Sequence, residues 1–173
     1  LSDRSLSGKR NGSEYYDQNQ FFDNYLKRRK WDENANDTLE KPIINEMIED
    51  VKGLNVLDLG CGTASFGIEL LERNAISYIG VDGSSNMISH AKNMLKGMYA
   101  GVIHATLEEW DFPIQKYDLI LARLILHYIN NIDAIFEKIY HALETGGSFV
   151  FSVEHPVMTS SYGIKVQEGK KED

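Results

Sequence analysis

Between Val56 and Gly67 the chain reads Val56-Leu57-Asp58-Leu59-Gly60-Cys61-Gly62-Thr63-Ala64-Ser65-Phe66-Gly67. An apolar run of strand length stops at an acid, passes through paired glycines and then takes on helical character. Few folds accommodate that order. Glycine lets the backbone approach a ligand where a Cβ would collide, and a strand, tight turn and helix in succession is how open α/β sheets build nucleotide-sized sites.

The flanking pattern agrees. Pro42 suits the first turn of a helix, and Ile43, Ile44, Met47, Ile48 and Val51 then form one apolar stripe, with Gly53 closing it. Strand character returns at 76–81, ending on Asp82-Gly83. Ser84 or Ser85 can cap a helix carrying Met87, Ile88, Ala91, Met94, Leu95 and Met98. A weak strand is expected at 101–104, a stronger one at 117–122 and a short helix over 124–129. Asp133 can cap a helix with Ile135, Phe136, Ile139 and Leu143 inward, which Gly146-Gly147 is expected to stop before a fifth strand over 148–153. Continuously apolar strands alternating with helices predict a doubly wound, mostly parallel α/β sheet with helices on both faces.

The ends differ from this body. Residues 1–14 are polar and expected to be a disordered tail, 15–53 an N-terminal helical lid rich in aromatic residues, 54–156 a cofactor-binding core, and 157–173 a polar tail or the remainder of a truncated domain. One cysteine, Cys61, allows no disulfide framework, and with no apolar leader visible the expected setting is cytoplasmic. Eighteen Lys and Arg against 26 Asp and Glu leave a net charge of -8, which argues against a nucleic-acid surface; the run Lys27-Arg28-Arg29-Lys30 is too short to reverse that. The five histidines and the cysteine show no ligand spacing, so no metal is expected; residues 1–10 hold no apolar core of the length of a membrane span, and no membrane partner is expected.

The chemistry comes from what each strand delivers at its carboxyl end. Asp82 stands 20 residues beyond Gly62, where a carboxylate can accept from both hydroxyls of a ribose. A dinucleotide fingerprint wants a third glycine where Ser65 stands. Asp58 beside the turn would repel a pyrophosphate but would welcome an ammonium group. The residues therefore favour a nucleoside bearing an amino acid over a dinucleotide.

At this point the chain resembles the class I S-adenosylmethionine-dependent methyltransferases. The likeness lies in Val56 to Thr63, in Gly80-Val81-Asp82-Gly83-Ser84 with Met87, in Tyr117-Asp118-Leu119-Ile120, in Leu126-His127-Tyr128, and in Leu143-Glu144-Thr145-Gly146-Gly147. Ser152-Val153-Glu154-His155-Pro156 is similar to a bacterial group of small methyltransferases. The resemblance implies strand order 3-2-1-4-5, S-adenosylmethionine as cofactor and S-adenosylhomocysteine as product. By position, Gly60, Cys61 and Gly62 would lie along the cofactor, Asp58 near its ammonium group, and Asp82 with Gly83 at the ribose. Met87, Ala105, Thr106 and Leu107 would hold the adenine, the Ala122 carbonyl would face the amine, and Arg28 or Arg29 would reach the carboxylate from the lid. The family often has an acid where Thr106 stands.

Expected function is methyl transfer to a small-molecule acceptor, with His155 and His127 as candidate bases. The alternatives are a non-catalytic cofactor-binding domain or inactive fragment and, further off, a nicotinamide-dependent oxidoreductase. Arg123 either sits at the surface or recognises an anionic group. Cys61 suits packing better than nucleophilic attack, because Asp58 would raise its pKa. The family sheet carries two further strands after the fifth, for which this sequence has no room. Strand five would then be an open apolar edge, through which the chain is expected either to aggregate or to pair as a homodimer.

Overall fold

The computed structural model describes residues 16–29 and 36–155; the expectations for 1–14, 30–35 and 157–173 fall outside them. Five parallel strands form one sheet: β1 (Asn55–Leu59), β2 (Ser77–Asp82), β3 (Ala100–His104), β4 (Tyr117–Arg123) and β5 (Leu143–Ser152), in the order β3-β2-β1-β4-β5. The helices are α1 (Asn19–Arg29), α2 (Lys41–Ile48), α3 (Ser65–Glu72), α4 (Ser85–Met94) and α5 (Ile132–Ala142), with a single π-helical turn at Asn36–Glu40 and a 3-10 turn at Leu126–Tyr128.

The period-two alternation of a strand sends successive apolar residues into opposite layers. Val56 faces a layer shared with Ile44 and Ile48 of α2, Phe66 and Leu70 of α3 and Ala91 of α4. Leu57 and Leu59 face Ile135, Ile139 and Ala142 of α5. Helix α2, expected in the lid, thus also covers the sheet. Burying each such Leu or Ile contributes roughly 1.5–3 kcal/mol.

Two local expectations are corrected. The last helix stops at Ala142, and Leu143 is already extended (φ -72, ψ 138). Gly146, at φ 86, lies within β5, where the pairing jumps from Tyr117↔Leu143 to Leu119↔Ser148. The glycine pair serves a bulge of the strand rather than a helix stop. The N-cap of α5 is Asn131, whose side chain accepts from the Ala134 amide at 3.2 Å; Asp133 sits in the first turn, where its charge complements the helix dipole.

Candidate cofactor cleft

A cleft of about 280 Å³ opens along the carboxyl ends of β1, β2 and β4. Between β1 and α3 the backbone takes positive φ at Gly60 (72°) and Gly62 (54°), a region L-residues avoid. A Cβ on Gly62 would sit at ordinary contact distance from the Tyr25 hydroxyl (3.5 Å) and the Met87 sulfur (3.9 Å), both of which line the cleft, so glycine is required there by its backbone conformation.

The close packing that a third glycine gives a dinucleotide fold is here supplied by Gly67. A Cβ there would come within 2.2 Å of the Tyr78 ring, so α3 can lie against β2 only because Gly67 has none. The ring that fills this space is fully buried, and its hydroxyl donates to Asp58 Oδ2 at 2.7 Å. Asp58 itself is 3% exposed. Burial pushes its carboxyl up to about 6, against the opposing pull of the Tyr78 hydrogen bond and of Arg123.

At the end of β2, Asp82 is braced from two sides. Its Oδ2 accepts from the Gly62 amide at 2.9 Å and its Oδ1 from the Ser84 amide at 2.8 Å. Each oxygen keeps a lone pair for a further donor, which is what a ribose diol requires. Burial raises its pKa while those two amides oppose the shift. Ser84 also caps α4, accepting from the Met87 amide. The N-terminal segment is tied to this corner: Asp17 accepts from the Ser84 hydroxyl (2.8 Å), the Ser85 hydroxyl (3.1 Å) and the Asn86 amide (3.2 Å). Beside it, Tyr16 and Tyr25 meet edge to face at 5.6 Å and both line the cleft.

Asp58, Gly60, Cys61, Gly62, Asp82, Gly83, Met87, Thr106, Leu107 and His127 come together on this one cleft. Ala105 and Ala122 lie behind the lining, packed in the layer under α5. Glu154 reaches the cleft, whereas His155, exposed, is outside its lining. Arg28 belongs to α1, but its side chain lies outside the described residues. Among the described residues no group of acids, histidines and cysteine could hold a metal, and no helix is long and apolar enough to cross a membrane.

The Cys61 sulfur occupies the space that Gly80 leaves, where a Cβ would sit 2.6 Å away. Burial, then Asp58 and Asp82, push its thiol well above the ordinary range, so it packs and does not attack. Arg123 is not at the surface: it lines the cleft and is held by neighbours within the chain. Its guanidinium stacks 4.3 Å from the Phe66 ring centroid and pairs with both carboxylate oxygens of Glu40, which also accepts from Ser152 Oγ at 2.7 Å. Glu40, Gly67, Tyr78 and Asp17 escaped sequence reading because each acts across a long chain separation. Gly67, two residues past Ser65, was the one with a visible spacing.

The residues fit an aminoacyl nucleoside: a braced carboxylate for a diol, a buried one for an ammonium group, and an open glycine cradle between. A pyrophosphate fits badly beside Asp58. A protein-family model described as "Methyltransferase domain" matches residues 56–147. An uncharacterized protein of Haemophilus influenzae is 34% identical over 150 residues, 83% of this chain and 59% of that protein. A carboxy-S-adenosyl-L-methionine synthase of Campylobacter fetus is 34% identical over 100 residues, 56% of this chain and 43% of that protein. The crystal structure of an S-adenosylmethionine-dependent methyltransferase from Mesorhizobium loti aligns with TM-score 0.66 and 34% identity over 68% of this chain and 55% of that one. The chain therefore spans about half the length of these relatives, and over that span it belongs to the class I S-adenosylmethionine-dependent methyltransferase family.

Proposed function

We propose that the protein binds S-adenosylmethionine in this cleft and transfers its methyl group to a small-molecule acceptor. The observation that carries the reading is the bracing of Asp82 by the Gly62 and Ser84 amides, which aims a carboxylate with spare lone pairs across the glycine cradle. When bound, the cofactor supplies a sulfonium methyl that is already an activated electrophile. The chain's own residues then have to position and to exclude water. Asp82 would hold the ribose hydroxyls, Asp58 the ammonium group, and Met87 and Leu107, both buried, the faces of the base. Tyr16 and Tyr25, which line the cleft, would help to exclude water. His127, which lines the cleft, would take the proton of an acceptor that must lose one; His155 would need to turn inward to do so.

Calorimetry with S-adenosylhomocysteine tests the site. Wild type should bind, and Asp82→Asn should bind about 30- to 100-fold more weakly, the loss of two charge-assisted contacts. Binding of a nicotinamide dinucleotide in its place would sink the reading. Mass spectrometry of metabolites incubated with the cofactor then separates an enzyme from a binding domain: a product heavier by one methyl group is expected, and tight binding without any product favours the non-catalytic alternative. As for partners, β5 is an edge strand of the sheet and carries Phe151, about half exposed, with Val153 equally exposed just beyond its end. Pairing of two chains along that strand is proposed, and a monodisperse monomer by light scattering would count against it.

A further inference from the structure

The segment joining β3 to β4 carries Thr106, Leu107 and Glu108 to the cleft without strand or α-helix to hold it. One side chain from the helix packed in the same layer gathers it. Lys138 of α5 donates its ammonium group to the carbonyls of Leu107 (3.4 Å), Glu108 (2.7 Å) and Trp110 (2.9 Å). Its Nζ also lies 5.5 Å from the centroid of Phe112, whose ring meets Trp110 at 4.6 Å. An ammonium group has three protons and no acceptor, so three carbonyls saturate it. Such charge-assisted bonds are stronger than neutral ones.

The consequence lies on the other side of each peptide. In a planar trans peptide the N–H points opposite to the C=O. Drawing the carbonyls of Leu107 and Glu108 toward Lys138 therefore turns the amides of Glu108 and Glu109 away from α5. Among the described residues neither of those amides has a hydrogen-bond partner. Thr106, in turn, donates its hydroxyl to Glu109 Oε2 at 2.8 Å, so it is already committed to the same turn.

We propose that Lys138, which touches no ligand, is a positioning residue: it fixes the peptide orientation of 107–110 so that this turn reads the purine ring at the β3 end of the cleft. The inference rests on the cofactor reading above. It makes base discrimination a property of main chain held from behind, in a chain that has Thr106 where an acid could have done the reading.

The test compares affinities for S-adenosylhomocysteine and its hypoxanthine analogue, S-inosylhomocysteine, by calorimetry. Lys138→Met should weaken S-adenosylhomocysteine about tenfold and shrink the preference for adenine over hypoxanthine, while Lys138→Arg, which keeps charge and donors, should restore most of both. A purely structural role would lower the unfolding temperature and leave that preference unchanged in the folded variant. An unchanged preference overturns the proposal. If wild type binds neither ligand, the cofactor reading has failed and this inference falls with it; binding by wild type with equal preference in the variant removes the inference alone. Should Lys138→Met not fold, Lys138→Gln fills the same space with an uncharged donor and is judged by the same preference.

Discussion

The two ends of the cleft are built on opposite plans. Where β1 meets β4, charge is answered by charge away from water: Arg123 against Glu40, with side chains 13% and 14% exposed, and Asp58 beneath them held by Tyr78. At the β3 end Glu108 and Glu109 are exposed, and the fixed partners are carbonyls drawn to Lys138. Desolvated charges hold a geometry rigidly and are costly to leave unpaired. Solvated side chains on a main-chain turn can change at little cost. The first end thus behaves as part of the core, and the second as an adjustable surface.

The largest predicted effect breaks the first plan. Glu40→Ala leaves the Arg123 guanidinium buried without its carboxylate and strips Ser152 of its acceptor. Urea unfolding should show a loss of about 3–5 kcal/mol, and the pair Glu40→Leu with Arg123→Met should recover most of it, because two apolar groups leave no orphaned charge. Glu108→Ala at the other end should stay within about 0.5 kcal/mol of wild type. A Glu40→Ala loss no larger than that of Glu108→Ala would erase the distinction between the two ends.

How much of this was legible follows the same division. The strand of Val56 to Leu59, the turn at Gly60 and Gly62, and Asp82 at the next strand end were readable because they are contiguous or set by fixed spacing. The sheet order, too, had been expected from the motif and its resemblance, and the structure shows it. Glu40 and Arg123 lie 83 residues apart, and neither periodicity nor propensity joins them; Arg123 therefore read as a surface or anion-seeking residue. The Gly146-Gly147 pair misled for a different reason. Glycine after an apolar helix ordinarily marks its stop, and here the same freedom at Gly146 was used to bulge an edge strand. Lys138 carried no reading from the sequence, since nothing local shows three carbonyls converging on it.

The second effect is a pH dependence located at the buried end. Asp58 has its carboxyl raised from 3.8 to about 6, burial being the main cause. A raised carboxyl binds its proton more tightly folded than unfolded, so its contribution to stability is present below about pH 4 and is lost as the pH rises through about 6. Binding runs the other way. If Asp58 answers the ammonium group, S-adenosylhomocysteine affinity should fall as pH drops below about 6, by up to tenfold per unit. The Tyr78 hydroxyl lowers this pKa, so Tyr78→Phe should move the inflection to higher pH, and Asp58→Asn should remove the Asp58 component altogether. Calorimetry from about pH 5 to pH 8 reads all three; an inflection that survives unchanged in Asp58→Asn would assign the titration to another group.

The smallest effect belongs to the exposed end. Thr106 stands where the family often has an acid, yet its hydroxyl is turned to Glu109 on the surface of the turn. Removing it in Thr106→Val leaves Glu109 in water, where its carboxylate is hydrated at no cost, and leaves the carbonyls on Lys138 untouched. Stability should change by less than about 0.5 kcal/mol and S-adenosylhomocysteine affinity by no more than about threefold, within one partly solvated hydrogen bond. A tenfold loss would mean that the Thr106 side chain itself reads the base. The β3 end would then be built from side chains like its opposite, and main-chain readout held by Lys138 would be the wrong description of it.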